Sequence, residues 1–249
     1  MNILIDSLGL QARVHLRDGR RLADLLATLA TQPGVQVAFS TPATLTAGVL
    51  KGRDVLMLTT RKKADADYTE AELDGIEGFV REGGSLLLMA NHGDIPGRPY
   101  PDLTASDARL ARRFGIEIEN SFFASTEWGR AAGIREDNLS QDHPVLRGIA
   151  AANPVRSLVI NNCSSIRPGA GVALAFLPES MLDHRDGRSP RSRCLAVALD
   201  QCAPGGRVVV TADSGFIGSE GTTFPGTGLI AMGDNRRFIV NILLWLGGA

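Results

Sequence analysis

At 249 residues, 44% of them hydrophobic and with a formal net charge of −1, the chain can bury a substantial core. Its charges are of both signs and interspersed, which removes any electrostatic case for nucleic acid or an anionic membrane as partner. No apolar run reaches membrane-spanning length, the chain opens on a strand pattern rather than a signal peptide, and Cys163, Cys194 and Cys202 lack the paired close spacing of a zinc site, so a reduced, cytoplasmic protein is expected.

For about the first hundred residues, strand and helix patterns alternate. Residues 1–6 read as a strand. A helix is predicted over 18–31, where Leu22, Leu25, Leu26 and Leu29 make the stripe of one buried face, and Pro33-Gly34 stops it. Residues 35–39 give a second strand and 45–50 a short helical turn. Residues 54–59 give a third strand. Thr69-Glu70-Ala71-Glu72 is a capping-box sequence, in which the Thr69 hydroxyl accepts an early helical N–H while Glu72 reaches back. Leu73, Ile76, Phe79 and Val80 form the buried face of the helix that follows. Gly83-Gly84 ends it and feeds a fourth strand over 85–90. Strands separated by helices imply right-handed crossovers and a parallel sheet covered on both sides.

The second half is less regular. A helix is predicted over 105–114 and a strand over 116–123, then a loop over 128–142. Further strands are predicted over 157–160, 172–176, 194–199 and 207–212. The basic, turn-rich stretch 184–191 reads as a solvated hairpin tip in preference to a phosphate-binding loop. Asp234 is the expected N-cap of a last helix, with Phe238, Ile239, Ile242, Leu243, Trp245 and Leu246 on its apolar face. No linker divides the chain, so a single domain over 1–249 is expected.

Three segments carry a family resemblance: Glu82-Gly83-Gly84-Ser85-Leu86-Leu87-Leu88-Met89-Ala90-Asn91-His92, His143-Pro144 running to Gly148, and Gly206-Arg207-Val208-Val209-Val210. With the closing run from Asp234 to Leu246, they resemble the class I glutamine amidotransferase-like superfamily, and within it the trehalose-utilisation-protein-like (ThuA-like) branch. The resemblance implies a single three-layer α/β domain with a central, mostly parallel, flavodoxin-like sheet. Amidotransferases of this superfamily carry a Cys in a Gly-x-Cys-x-Gly elbow after the strand that here ends at Ala90. This chain has Asn91-His92-Gly93-Asp94 instead, with no thiol or hydroxyl to activate, so the family's glutaminase chemistry should be absent. His92 matches a His at the equivalent strand end in the ThuA-like branch.

Ligands of open α/β sheets bind beyond the carboxyl ends of the strands. That edge is expected to gather Asp6 and Ser7, Thr60 with its neighbours Thr59 and Arg61, and Asn91, His92 and Asp94; Asp213 and Ser214 join if the strand from Arg207 runs the same way. His92, Asp94 and Asp213 are the candidate catalytic groups, since a neighbouring carboxylate fixes a histidine's tautomer. Asp6, Ser7, Thr60, Asn91 and Ser214 are candidate ligand contacts, as are Glu127 and Trp128, an aromatic beside a carboxylate that suits a polar ring. The same donor set suits a divalent cation. Each residue also has a plainer use: His92 and Asp213 as turn residues, Asp6 as a cap, His143 as an extended entry before Pro144, and Cys163 as a buried or idle thiol. Two functions remain open. One is a domain binding a small polar molecule, carbohydrate-like, or a partner. The other is an enzyme of hydrolase or lyase type. A homo-oligomer is compatible with either.

Overall fold

The computed structural model describes residues 1–41, 44–125, 130–149, 153–185, 191–202, 205–220 and 228–248. In chain order the elements are β1 (Asn2–Ile5), α1 (Leu10–Asp18), α2 (Ala23–Ala30), β2 (Gln36–Phe39), α3 (Ala47–Leu50), β3 (Val55–Thr59), α4 (Lys63–Ala66), α5 (Glu70–Arg81) and β4 (Ser85–Met89). The second half adds α6 (Ala105–Arg112), β5 (Glu117–Ser125), β6 (Ala132–Arg135), α7 (Pro144–Arg147), β7 (Ser157–Ile160), β8 (Cys163–Arg167), β9 (Val172–Phe176), β10 (Met181–Asp183), β11 (Cys194–Cys202), β12 (Gly206–Thr211) and α8 (Asn235–Leu246).

Strands β2, β1, β3, β4 and β12 lie side by side in that order and all run parallel. This is the flavodoxin-like arrangement, with α/β crossovers between successive strands. Every residue of β3 and β4 is buried, as a strand covered on both faces requires. Helices α5 and α8 each pack on β4 and β12. Beyond β12 the same sheet continues through β11, β8, β5 and β10, with β9 also paired to β11, and these pairings are antiparallel. The result is one α/β domain around a large mixed sheet, and its parallel half runs β12 in the same direction as β4. That direction brings Asp213 to the same edge as His92.

Several elements differ from the sequence-based expectation. The helix expected over 18–31 forms as the shorter α2, and an unanticipated helix, α1, precedes it. Gly19 takes a left-handed φ of 70° and ends α1. Only Gln11 and Ala12 of α1 are buried, so it has no leucine stripe to announce it. Leu22, Leu25 and Leu29 are buried as expected, on α2 and the turn before it. The loop expected over 128–142 contains β6, which pairs with β7 in a separate two-stranded sheet. Strands β8 and β10 were not anticipated. Asp234 stands at the N-cap of α8, yet its carboxylate does not cap that helix. It accepts instead from the backbone N–H groups of Arg156 and Ser157, at 2.9 and 3.1 Å.

The capping box at α5 is formed in full. Thr69 Oγ1 accepts from Glu72 N at 3.2 Å, and Glu72 Oε2 accepts from Thr69 N at 3.0 Å. Thr69→Ala is expected to lower stability by about 1 kcal/mol, read as an earlier urea midpoint with an unchanged slope. An unshifted midpoint would show that the cap contributes nothing.

Candidate functional site

The β1/β3 boundary, where flavodoxin-like sheets hold their ligands, is filled by the protein's own side chains. Arg61, just past β3, is only 1% exposed. Its Nε donates to Asp6 Oδ2 at 2.8 Å and its Nη1 to Glu72 Oε1 at 3.0 Å. The guanidinium lies 4.3 Å from the centre of the Tyr68 ring. Two facing carboxylates hold Arg61 firmly protonated against the cost of burial. Asp107 completes the cluster, within 3.4 Å of the Tyr68 hydroxyl, and burial pushes its carboxyl well above the usual range. Asp6, expected beside His92, is therefore an internal partner of Arg61. Ser7 is likewise engaged toward β2, its N–H donating to Ser40 Oγ at 2.9 Å.

The opening lies farther along the edge, beyond β4 and β12. Its floor is a hydroxyl hub. Ser214 Oγ accepts from Gln11 Nε2 at 3.2 Å and from Asn91 Nδ2 at 3.1 Å. Thr60 Oγ1 lies 2.9 Å from both Ser214 Oγ and the Met89 carbonyl. A hydroxyl has one proton. With Thr60 donating to the carbonyl, the proton between the two hydroxyls is Ser214's, and the capacity of Ser214 is full. Thr60, Ser214 and the Asn91 amide, expected as ligand contacts, are thus spent on joining α1, β3, β4 and β12.

Above this floor is a cleft of about 320 Å³. Its polar lining comprises Gln11, Arg21, Asn91, His92, Asn161, Asn162, Asp213 and Glu220, and its apolar lining Leu10, Val14, Leu103 and Leu229. His92 Nδ1 lies 2.8 Å from the Gly93 carbonyl. A carbonyl only accepts, so Nδ1 carries the proton and Nε2 is left as an acceptor that bonds no described residue. Burial lowers the pKa of the ring, which packs against Phe122 at 4.6 Å and Tyr100 at 6.1 Å, so it is neutral at physiological pH. Asp213, 2% exposed, accepts the Gly215 N–H on Oδ1, while its buried Oδ2 has no hydrogen-bond partner among the described residues. Burial pushes its pKa up to about 6, against the opposing pull of backbone N–H groups and of Arg21. Arg21 is held by Gln11 Oε1 through Nε and by the Glu220 carbonyl through Nη1.

The structure thus brings His92, Asn91 and Asp213 to one cleft and leaves Asp6, Ser7 and Asp94 outside its lining. Asp94 pairs with Arg185 at 2.9 Å, and this partner holds its carboxyl below the usual range. Glu127 and Trp128 lie outside the described residues, as does the 186–190 part of the basic stretch. His143 is the N-cap of α7, with Nδ1 accepting from Val145 N at 3.2 Å. The sequence reading missed Gln11 and Arg21, which only the unrecognised α1 and its Gly19 turn bring to the cleft. Among the described residues, no three His, Cys, Asp or Glu side chains are gathered as a metal site needs, and no helix is long and apolar enough to cross a membrane.

Neither a protein-family model nor a curated protein sequence matches the chain. Solved structures do. The N-terminal domain of mmIFT52 superposes with a TM-score of 0.69 at 14% identity, covering 98% of this chain and 97% of that one. A cytoplasmic protein from Salmonella typhimurium LT2 gives 0.61 at 15% identity, with 99% of each chain covered. A ThuA-like protein from Bacteroides uniformis gives 0.56 at 14%, covering 99% and 91%. The fold is ThuA-like. At these identities the likeness speaks for the fold alone.

Two of the cysteines are poor nucleophiles. Cys163 and Cys194 are both buried, and burial pushes the first thiol far up and the second to about 12. A glutamine-analogue alkylator is expected to leave the intact mass unchanged. A stoichiometric adduct on one cysteine, together with ammonia release from glutamine, would overturn that expectation.

Proposed function

We propose that this chain is an amidotransferase-like domain without the superfamily's nucleophile, and that it binds a small polar molecule in the cleft beyond β4 and β12. The observation that carries this reading is Asp213, a buried carboxyl among the residues lining an open cleft, with one oxygen that has no hydrogen-bond partner among the described residues. Folds seldom keep such a group without a ligand or a proton to satisfy it. His92 supports the same reading, since its Nε2 acceptor bonds no described residue. A cytoplasmic setting belongs to the proposal and is supported by Cys163 and Cys194, which are buried free thiols and not a disulfide.

An enzymatic reading draws on the same pair. A neutral imidazole with a bare Nε2 is equipped to take a proton, and a carboxyl with a pKa of about 6 is equipped to return one. Such a reaction would need no covalent intermediate.

A ligand-observed NMR screen of small polar metabolites, run on the native protein and on His92→Ala, tests the binding reading. At least a tenfold loss of affinity is expected, about 1.4 kcal/mol, with a nearly unchanged melting temperature. Equal binding by both proteins would remove His92 from the site. Turnover of a bound compound by the native protein, absent in His92→Ala, would select the enzymatic reading.

A further inference from the structure

We propose that β2 is the seam of a two-fold homodimer, in which two copies of this chain pair their β2 strands antiparallel and the large sheet runs on from one copy into the other. The inference starts from where the sheet stops. β2 is its last strand, paired with β1 on one side, and among the described residues no strand lies on the other. Gln36 N donates to the Met1 carbonyl and Ser40 N to the Ile5 carbonyl. Alternate residues of a strand face the same neighbour, so the main-chain N–H and C=O groups of Val37 and Phe39 point away from β1, to the open side. Gln36 is exposed, and Val37, Ala38 and Phe39 are only partly buried. The usual protections of an edge are missing: the register with β1 has no bulge, and residues 34–41 hold neither proline nor charge. The opposite margin of the sheet, β10, is three residues long and carries Asp183.

Charge identifies the occupant. Residues 25–50 contain no Asp, Glu, Lys, Arg or His, in a chain where the first four make up 21%. The run covers most of α2, which packs on β2, then β2 itself and the segment to the end of α3. Ala27, Ala30, Thr31 and Gln36 within it are exposed, so burial does not account for the missing charge. The centres of protein interfaces are depleted of charge in this way. An uncharged margin offers nothing by which a foreign partner would be steered or selected. It suits a copy of itself. A two-fold axis sets each strand against its own sequence, so a charge at the centre of β2 would face its like, and β2 has none. An axis through Ala38 lets Val37 of each copy exchange both main-chain hydrogen bonds with Phe39 of the other, with the two Ala38 residues directly opposed. Four residues a side cannot fill a stable interface, which needs about 800 Å² per partner. The flank supplies more: His15 of α1 stacks on Phe39 at 5.5 Å, and the next residue, Leu16, is 55% exposed.

Analytical ultracentrifugation of the native chain is expected to show a dimer in the micromolar range. Ala38→Glu and Ala38→Lys each oppose like charges across the axis and are expected to weaken it at least tenfold. An equimolar mixture of the two should restore dimers containing one of each, a rescue that a merely damaged fold would not give. Cysteine variants supply a readout that adds no charge. Directly opposed strand residues that share no hydrogen bond have Cα atoms about 4.5 Å apart, within the span of a disulfide. Ala38→Cys is therefore expected to form an interchain disulfide on mild oxidation, beyond any seen with the native chain. Gln36→Cys is not, since its two copies would lie about 13 Å apart along the strands. A native chain that stays monomeric throughout the micromolar range, leaving the edge to a foreign strand, would overturn the proposal. So would a dimer that survives both charged variants, or cross-linking at residue 36 in preference to 38.

Discussion

Replacing Arg61 by alanine is expected to cost about 3–5 kcal/mol of stability, the largest single-residue loss foreseen outside the apolar core. The guanidinium, itself 1% exposed, is the central cation of a buried cluster, and its removal leaves Asp6 and Glu72 without their counter-charge. Both carboxylates are buried, so the penalty is that of uncompensated charge, not of a lost surface pair. Arg61→Lys should fall between the two, because an ammonium keeps the charge but cannot span both carboxylates with a planar fork. The sign of the pH dependence follows. Glu72 is held below its usual range by backbone N–H groups and Arg61, so its stabilisation is present above its unfolded pKa and is lost as pH falls through the folded one. In Arg61→Ala that support is gone, and the gap to the native protein should narrow in acid as the carboxyls take up protons. Urea titrations at several pH values measure this. A loss under about 1 kcal/mol, typical of an exposed ion pair, would refute the role assigned to the cluster.

Asp213→Asn is expected to act in the opposite direction on stability and to abolish binding. A folded-state pKa of about 6 lies above the unfolded carboxyl's. The contribution of Asp213 is therefore fully present below the unfolded value, near pH ~4, is lost as pH rises through about 6, and stays lost above that. The shift is worth about 3 kcal/mol at neutral pH. An amide in the same place keeps an acceptor for Gly215 but presents an NH₂ group where Oδ2 had no partner, which returns part of the gain. A net stabilisation on the order of 2 kcal/mol is expected at pH 8, shrinking to nothing near pH 4. A variant no more stable than the native protein at pH 8 would show that the carboxyl is not strained. A stabilised variant that still binds would place the ligand elsewhere.

What could be read from the sequence is what local rules decide. The Thr69–Glu72 box needs only four consecutive residues, and the leucines of α2 need only a helical period, so both were legible. The parallel half followed from alternation. Strand β8 was not legible because Ser164 and Ser165 are fully buried, where an apolar pattern would have marked a strand. Ser165 is tolerated because it is internally bonded: its Oγ donates to Glu119 Oε2 at 2.6 Å and lies 2.9 Å from Ser121 Oγ, partners more than forty positions away. Arg61 was misleading for the same reason. Within Thr60-Arg61-Lys62-Lys63 it reads as solvated, and only the distant Asp6, Glu72 and Asp107 make it a core residue. His92 and Asp213 were visible as polar residues at strand ends. Arg21 was not, because its place depends on where α1 stops.

The start of α8 also settles how one sheet margin meets its surroundings. Asn235 Oδ1 accepts from Val159 N at 2.9 Å and its Nδ2 donates to the Val159 carbonyl at 2.6 Å, so one side chain imitates a neighbouring strand along β7. Asp234 takes the next two N–H groups, those of Arg156 and Ser157. The outer margin of the two-stranded sheet is thereby closed to another chain's backbone, without the charged or proline-bearing strand that proteins often use against edge-to-edge aggregation. Opening it by Asn235→Ala would expose a template for strand addition, and the tendency to associate would then rise even where the native fold survives.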